Sequence, residues 1–264
     1  MRDDPPVDRY KSFLIDMDGV LYINQQPVDS AIEFVNRVKA NRTILLLTNN
    51  SKYTRLQYHE KLASMGLQMR DDQIMTSSVA TARCLAENYE TQGATVFAIG
   101  GVGLCEELEG IGMRILEGEA ARQAQHVVVG WDTELTYEKL KIACLALHAG
   151  AVFTATNSDA TYPSTDGLWP GAGAILASVE TSAGRSATVI GKPHAFMMQT
   201  ALAVSEGRAD STLMIGDRLE TDILGGWRAG MDTCLVLTGV SKREDVSGYQ
   251  PQPDFVVDSL LELL

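Results

Sequence analysis

FLIDMDGVLY, residues 13–22, is the stretch on which the reading of this chain turns. An apolar run, Phe13-Leu14-Ile15, ends in two aspartates one residue apart, Asp16 and Asp18, and Gly19 follows. Alternate residues of an extended segment point to the same side, so both carboxylates can project together from the end of a buried strand. Gly19 has no Cβ and lets the chain turn sharply there. Asp and Gly are also ordinary turn residues, so the stretch alone fits a solvated turn equally well. Three downstream segments decide between the two.

Outward from this stretch, a polar loop, Asn24 to Pro27, leads to Ser30 and Glu33 at capping-box spacing. Ala31, Phe34, Val35 and Val38 recur at helical intervals, which predicts a helix over 30–39. Thr43 to Leu47 reads as a strand buried on both faces and ends in Thr48-Asn49-Asn50-Ser51. Thr54 and Gln57 offer a second capping box, and the helix they open is expected to stop at Gly66. A strand over 74–76 and a helix over 79–89 follow. In the middle of the chain, strands are expected over 95–99, 126–131 and 152–156, with a helix over 137–148. The segment from Asn157 to Gly173 is long and rich in Gly, Pro, Ser and Thr, and such loops are usually functional or disordered. A helix over 174–181 closes at Gly184. The first texture then resumes. A strand over 187–190 ends in Gly191-Lys192-Pro193, and a helix covers 196–205. A strand over 212–215 ends in Gly216-Asp217, and a helix over 221–229 stops at Gly230. Strands over 233–237 and 255–257 and a helix from Ser259 complete the pattern. Alternating β and α elements imply an α/β fold, a parallel sheet with helices on both faces. Residues 1–80 and 185–264 form the core in this reading, and 81–184 is a second α/β domain inserted into it.

The composition narrows the function. A chain of 264 residues with 45% hydrophobic content can form one large domain or two modest ones. Acidic residues outnumber basic ones, 34 against 22, giving a net charge of −12, which argues against a nucleic-acid polymer as partner. Cys84, Cys105, Cys144 and Cys234 lie far apart without metal-ligand spacing, and fit reduced thiols in a cytoplasmic setting. The N-terminal MRDDPPVDRYK lacks the apolar run of a signal peptide, and no stretch approaches a membrane span. The sequence leaves open whether the chain acts alone or as a homodimer.

Four polar signals stand at the predicted C-terminal ends of four buried strands: Asp16/Asp18, Thr48/Asn49, Lys192, and Asp217 with Asp222. Ligands of open α/β sheets bind outside those strand ends. The residue types suit phosphoryl transfer. Carboxylates, a backbone carbonyl and waters make an oxygen cage for Mg2+. A Thr hydroxyl and backbone amides can hold phosphoryl oxygens, and Lys neutralises a phosphate as a compact point charge. An Asp carboxylate can itself be the nucleophile. His59, His126, His148 and His194 form no paired zinc motif, and neither a nucleophile elbow nor a Gly-rich loop ending in Gly-Lys-Ser/Thr occurs. Gly101-Val102-Gly103 has Glu106 where a dinucleotide fingerprint needs its third glycine, so a tight strand-to-helix turn is the better account.

DMDGVLY at 16–22, LLTNNS at 46–51, GKP at 191–193 and GDRLETDI at 216–223 together resemble the four ordered motifs of the haloacid dehalogenase superfamily. Their order and the large insert resemble its NagD-like branch, subclass IIA, which includes nucleotide monophosphatases and p-nitrophenyl phosphatases. ATNSD at 155–159 is similar to that branch's ATNPD-type cap motif, with Ser158 where proline is usual. The resemblance implies a doubly wound, Rossmann-like core with an inserted cap. It implies an Mg2+-dependent phosphatase acting on small phosphorylated metabolites such as nucleotide monophosphates, sugar phosphates or aryl phosphates. It gives Asp16 the role of nucleophile and Asp18 that of general acid and then base. Asp16, the Asp18 carbonyl and Asp217 would bind Mg2+, with Asp222 behind them through water. Thr48 and Asn49 would hold the phosphoryl group, Lys192 would neutralise it, and the backbone of Arg218, Leu219, Glu220 and Thr221 would also face the substrate. Asn157, Asp159 and Trp169 are the candidates for leaving-group selection by the cap. Trp131 and Tyr162 are aromatics that serve either packing or stacking on the leaving group.

Two other readings stay open on the sequence. A dehalogenase of the same superfamily has no need of an acid two residues after its nucleophile, and Asp18 argues against it. A catalytically silent binding module would be expected to have lost one of Asp16, Asp18, Lys192 or Asp217, and all four are present.

Overall fold

The computed structural model describes residues 7–164 and 166–264. The start of the N-terminal segment with Pro5 and Pro6, and residue 165 in the long polar segment, lie outside the described residues. Two compact units are present. One is formed by the described residues up to Thr48, by Leu56–Met75 and by Lys192–Leu264, and the other by Asn49–Arg55 and Thr76–Gly191. The expected insert, 81–184, falls inside the second unit, which reaches further at both ends and takes in the turn at 49–55.

The first unit is built on a six-stranded sheet in the order Phe255–Val257, Asp232–Val236, Thr212–Gly216, Ser12–Asp16, Thr43–Thr48, Ile74–Thr76. The chain starts near the middle, fills one side, then returns to fill the other. That reversal at Ser12–Asp16 is the topological switch point, where a crevice opens at the carboxyl ends of the strands. The strand pairs on either side are parallel. Register then places the chemistry. Ile15 lies opposite Ile215, and Asp16 lies opposite Leu47, so Asp217 and Thr48 each stand one residue beyond the level of Asp16.

Burial explains the strand. Phe13, Leu14 and Ile15 are all solvent-free, as a strand covered on both faces requires. Each such side chain contributes about 1.5–3 kcal/mol of burial. Phe13 packs edge-to-face on Tyr10 and Phe34, and Tyr10 on Phe255, which ties the central strand to a covering helix and to the sheet's far edge.

Some local expectations shift. The first helix is Asp29–Val38 with Val28 at its N-cap, so the Ser30–Glu33 pair is not used as a capping box. Asp29 in its first turn instead complements the helix dipole. The loop expected at 24–27 is a two-stranded ribbon, Tyr22–Ile23 with Gln26–Pro27, turned at Asn24 with φ +57°. The helix expected at 221–229 opens as a wide π-helical turn, Leu219–Ile223, before Leu224–Arg228. The terminal helix is one 3-10 turn, Leu260–Leu263, capped by Ser259 and Glu262.

The second unit has its own five-stranded parallel sheet in the order Thr188–Val189, Val152–Ala155, His126–Val129, Thr95–Ile99, Arg114–Ile115. Alternation along its strands feeds two cores. Phe97, Val127 and Val129 pack with residues of the helices Tyr137–His148 and Ala172–Ala183. Val96 and Val128 pack with Leu85, Leu104 and Leu108, of the helices Ser77–Asn88 and Val102–Gly110. The long segment Asn157 to Gly173 contains an antiparallel hairpin, Thr161–Ser164 with Gly167–Pro170. The four cysteines are free. Among the described residues no helix is long and apolar enough to cross a membrane.

Candidate active site

Asp16, Asp217 and Asp222 are buried and converge at the switch point, with ligand oxygens within 4.8 Å of one another. Among the described residues this is the one carboxylate, histidine or cysteine group placed to hold a metal ion. Lys192, 2% exposed, donates to Oδ1 of Asp16 and, at 2.7 Å, to Oδ1 of Asp222. Asp222 accepts the Arg218 amide on its other oxygen, so both of its oxygens are engaged.

Three carboxylates against one ammonium leave excess negative charge in a dry place. Burial pushes the Asp16 carboxyl well above its ordinary range; Lys192 opposes this, while Asp222, Asp217 and Asp18 add to it. Burial and then Asp222 push Asp217 up to about 7, against the Val240 amide, Arg218 and Lys192. Burial alone would lower the Lys192 ammonium, yet Asp16 and Asp222 outweigh it and hold it above the usual lysine range. Oδ1 of Asp217 is buried without a hydrogen-bond partner. Orphaned carboxylate oxygen and crowded like charge are what a hard divalent cation relieves, so the residues fit Mg2+.

The backbone is shaped around Asp217. A Cβ at Gly19, where φ is +86°, would lie 2.3 Å from Oδ2 of Asp217, and one at Gly239 would lie 1.9 Å from the same atom. Only glycine permits the main chain to approach this closely at either place. The Val240 amide donates to Oδ2 at 2.7 Å, and the Thr238 hydroxyl donates to the Gly19 carbonyl at 2.7 Å. The turn Thr238–Ser241, after the strand Asp232–Val236, therefore belongs to the site as a fourth strand end of this sheet, which the motif reading missed, whereas Lys192, expected at the end of a buried core strand, follows Thr188–Val189, an edge strand of the second unit's sheet. Its signal was available: Thr-Gly after an apolar run matches the other strand ends.

Asp18 stands apart from the three carboxylates. Its Oδ2 accepts from the Thr48 hydroxyl at 3.1 Å and from the Tyr22 hydroxyl at 3.4 Å. Lys61 lies 3.3 Å from the centre of the Tyr22 ring. Burial pulls its ammonium down in pKa, and Asp18 opposes the pull. Neither Tyr22 nor Lys61 was singled out from sequence; only the fold brings the helix Arg55–Ser64 beside the first motif.

The stretch Arg218 to Thr221 is held in its turn by two main-chain amides. The Arg218 amide donates to Asp222, and the Leu219 amide donates to the Ser241 hydroxyl. The Leu219 side chain is buried in a core with Ile223, Leu235 and Val246. Those two amides support the turn. Glu220 is exposed and Thr221 buried.

Within the second unit, Nδ2 of Asn49 donates to both oxygens of Asp159, at 3.0 and 3.1 Å. Asn157 donates to the Asn49 carbonyl at 2.7 Å. Trp169 is 42% exposed on the hairpin, and its indole N–H donates to Asp166. Trp131 and Tyr162 lie ring on ring with centroids 4.2 Å apart, a packing pair.

The chain matches two family models, one described as haloacid dehalogenase-like hydrolase over residues 13–114 and one as HAD-hydrolase-like over residues 189–263. It is 39% identical over 254 residues to the 5'-nucleotidase YutF of Bacillus subtilis, covering 96% of this chain and 97% of that one. The p-nitrophenyl phosphatase from Archaeoglobus fulgidus superposes with a TM-score of 0.89 at 33% identity, over 96% of this chain and 98% of that one. The glycerol phosphate phosphatase from Mycobacterium tuberculosis in complex with magnesium gives 0.90 at 32% identity, over 97% and 77% of the two chains.

Proposed function

The chain belongs to the haloacid dehalogenase-like hydrolases, and on that footing we propose that it is a Mg2+-dependent phosphomonoesterase with Asp16 as its nucleophile. The observation that carries the reading is the buried trio Asp16, Asp217 and Asp222 around Lys192 at the switch point. Relatives named as a nucleotidase and as nitrophenyl and glycerol phosphate phosphatases support the reaction class, and the magnesium complex supports the cation.

The chemistry follows from the side chains. An Asp16 oxygen attacks the phosphorus, the bond to the ester oxygen breaks, and that oxygen takes the proton of Asp18. Water then attacks the aspartyl-phosphate, Asp18 takes back a proton, and inorganic phosphate leaves with Asp16 restored. Thr48 aims the Asp18 carboxyl through its hydroxyl bond. Lys192 fixes Asp16 and offsets charge on the phosphoryl group. Asp16, Asp217 and the Asp18 carbonyl would hold Mg2+, with Asp222 behind them. The bound cation would withdraw charge from the phosphoryl oxygens and the crowded carboxylates.

The second unit is proposed to choose the leaving group, with Trp169 on its exposed hairpin as one determinant. Small phosphate monoesters are the proposed substrates, and four free thiols support a cytoplasmic setting. Phosphate release from p-nitrophenyl phosphate, glycerol phosphate and nucleoside monophosphates, with Mg2+ and with excess chelator, tests the proposal. Undiminished turnover in chelator would sink it.

A further inference from the structure

We propose that Asp159 and Asn157 are positioning residues for Asn49, the residue that follows Thr48, and that they act on the phosphoryl half of every substrate rather than on the leaving group. This rests on the proposed function, together with the role that the family resemblance implies for Thr48 and Asn49 in holding the phosphoryl group.

The geometry is specific. A carboxylate can only accept hydrogen bonds, so Asp159 fixes which end of the Asn49 amide faces it: Nδ2, bonded to both carboxylate oxygens. The opposite end is walled in. A Cβ on Gly191 would lie 2.7 Å from Oδ1 of Asn49. The Asn49 carbonyl accepts two bonds, from Nδ2 of Asn157 at 2.7 Å and from the Ser77 hydroxyl at 2.6 Å. Oδ1 of Asn157 accepts the Asp159 amide at 3.1 Å, a turn that brings the Asp159 carboxylate round to Asn49. Residues 157–159 thus grip residue 49 by its side chain and by its main chain, across 108 to 110 positions of sequence.

The alternative use fits the geometry poorly. Asn157 is 3% exposed, and both ends of its amide are bonded within the protein. Asn49 is 7% exposed. For an asparagine to discriminate among leaving groups its amide would have to face them, and these amides are turned inward. Their effect on the reaction is then to hold the chain just after Thr48 in one conformation, a contribution common to all esters.

The test uses the full-length protein, with Asp159→Ala, Asp159→Asn, Asn49→Ala and the Asp159→Ala/Asn49→Ala pair. Three esters serve as substrates and inorganic phosphate as competitive inhibitor. Loss of a bond to a charged group predicts a fall of about tenfold or more in kcat/KM for Asp159→Ala, by one factor on all esters. The affinity for inorganic phosphate should weaken in parallel. The double variant should be little worse than either single one, as members of one network are non-additive. Asp159→Asn keeps one acceptor oxygen and should recover much of the loss, and it carries the test if the alanine variant does not fold. A role confined to the fold of the second unit would lower melting temperature and active fraction while leaving phosphate affinity unchanged. That result, or a re-ranking of esters at constant phosphate affinity, overturns the proposal. Asp16→Asn assayed alongside separates the two claims: full turnover there defeats the proposed function, whatever Asp159 does.

Discussion

The Thr48 hydroxyl donates to the Asp18 carboxylate across 3.1 Å, joining the end of the strand Thr43–Thr48 to the loop that leaves its neighbour Ser12–Asp16. That bond aims the proposed general acid from a side chain on a rigid strand. Thr48→Val keeps the shape and removes the donor. Turnover of esters with poor leaving groups should fall by about 10- to 100-fold, within the range general acid catalysis supplies, and nitrophenyl phosphate should suffer less. Steady-state kinetics on both types of ester check this; equal losses would place Thr48 on the phosphoryl group alone.

Asp18→Asn should spare the first chemical step for good leaving groups and slow the second. A burst of nitrophenol followed by slow turnover is the expected trace. A variant with no burst and no turnover would show that Asp18 is needed before the leaving group departs.

Gly239→Ala would put a methyl group 1.9 Å from Oδ2 of Asp217. The carboxylate must move, and Mg2+ affinity should drop by about 10- to 100-fold, as for other disturbed metal surroundings. Mg2+ titration of activity measures it. An unchanged activation constant would remove Asp217 from the metal set.

Stability of the metal-free protein should fall as pH rises. Asp217 is pushed up to about 7 in the folded chain from an ordinary 3.8, so between those values the folded state keeps a proton the unfolded state has lost. This contribution to stability is therefore fully present below the lower value, declines through the window and is lost above about 7, a change of a few kcal/mol at most. Asp16, also raised, acts in the same direction. Mg2+ should raise the melting temperature more at pH 7.5 than at pH 5, because protons compete with the cation for the same oxygens. Calorimetry with and without Mg2+ decides it; an equal Mg2+ effect at both pH values would contradict it.

Trp169→Ala should re-rank a panel of phosphate esters through KM, with a mild effect on the smallest of them. The residue is 42% exposed on the hairpin, and its ring is anchored by the Asp166 bond. A common factor on all esters would argue that the hairpin serves the fold.

The first motif was legible because burial and chemistry sit side by side in it: Phe13-Leu14-Ile15 requires a covered strand, and Asp16 ends it. Three strand ends of this sheet, at Asp16, Thr48 and Asp217, could be read this way, since each couples an apolar run to a polar turn; the strand before Lys192, Thr188–Val189, proved to be an edge strand of the second unit's sheet. The fourth, Thr238–Ser241, was missed because its contribution is made by an amide, a hydroxyl and a glycine rather than by a carboxylate or an amine. Lys61 was not legible because its approach to Tyr22 and Asp18 depends on tertiary packing, whereas Tyr22, four residues after Asp18, reaches it through a local turn whose closure the sequence does not show. The engagement of the Leu219 amide by Ser241 was hidden for the same reason. Helix boundaries shifted where the turn had another partner, as at Leu219–Ile223, where the wide turn accompanies the bond from the Arg218 amide to Asp222.

The central claim is that Asp16 carries the phosphoryl group. Rapid acid quench of the protein turning over a phosphate ester with Mg2+, followed by peptide mass analysis, tests it most directly. A phosphoryl group is predicted on the peptide containing Asp16, accumulating in Asp18→Asn and absent from Asp16→Asn. Full turnover by Asp16→Asn, or a phosphoryl group on a different residue, would contradict the account.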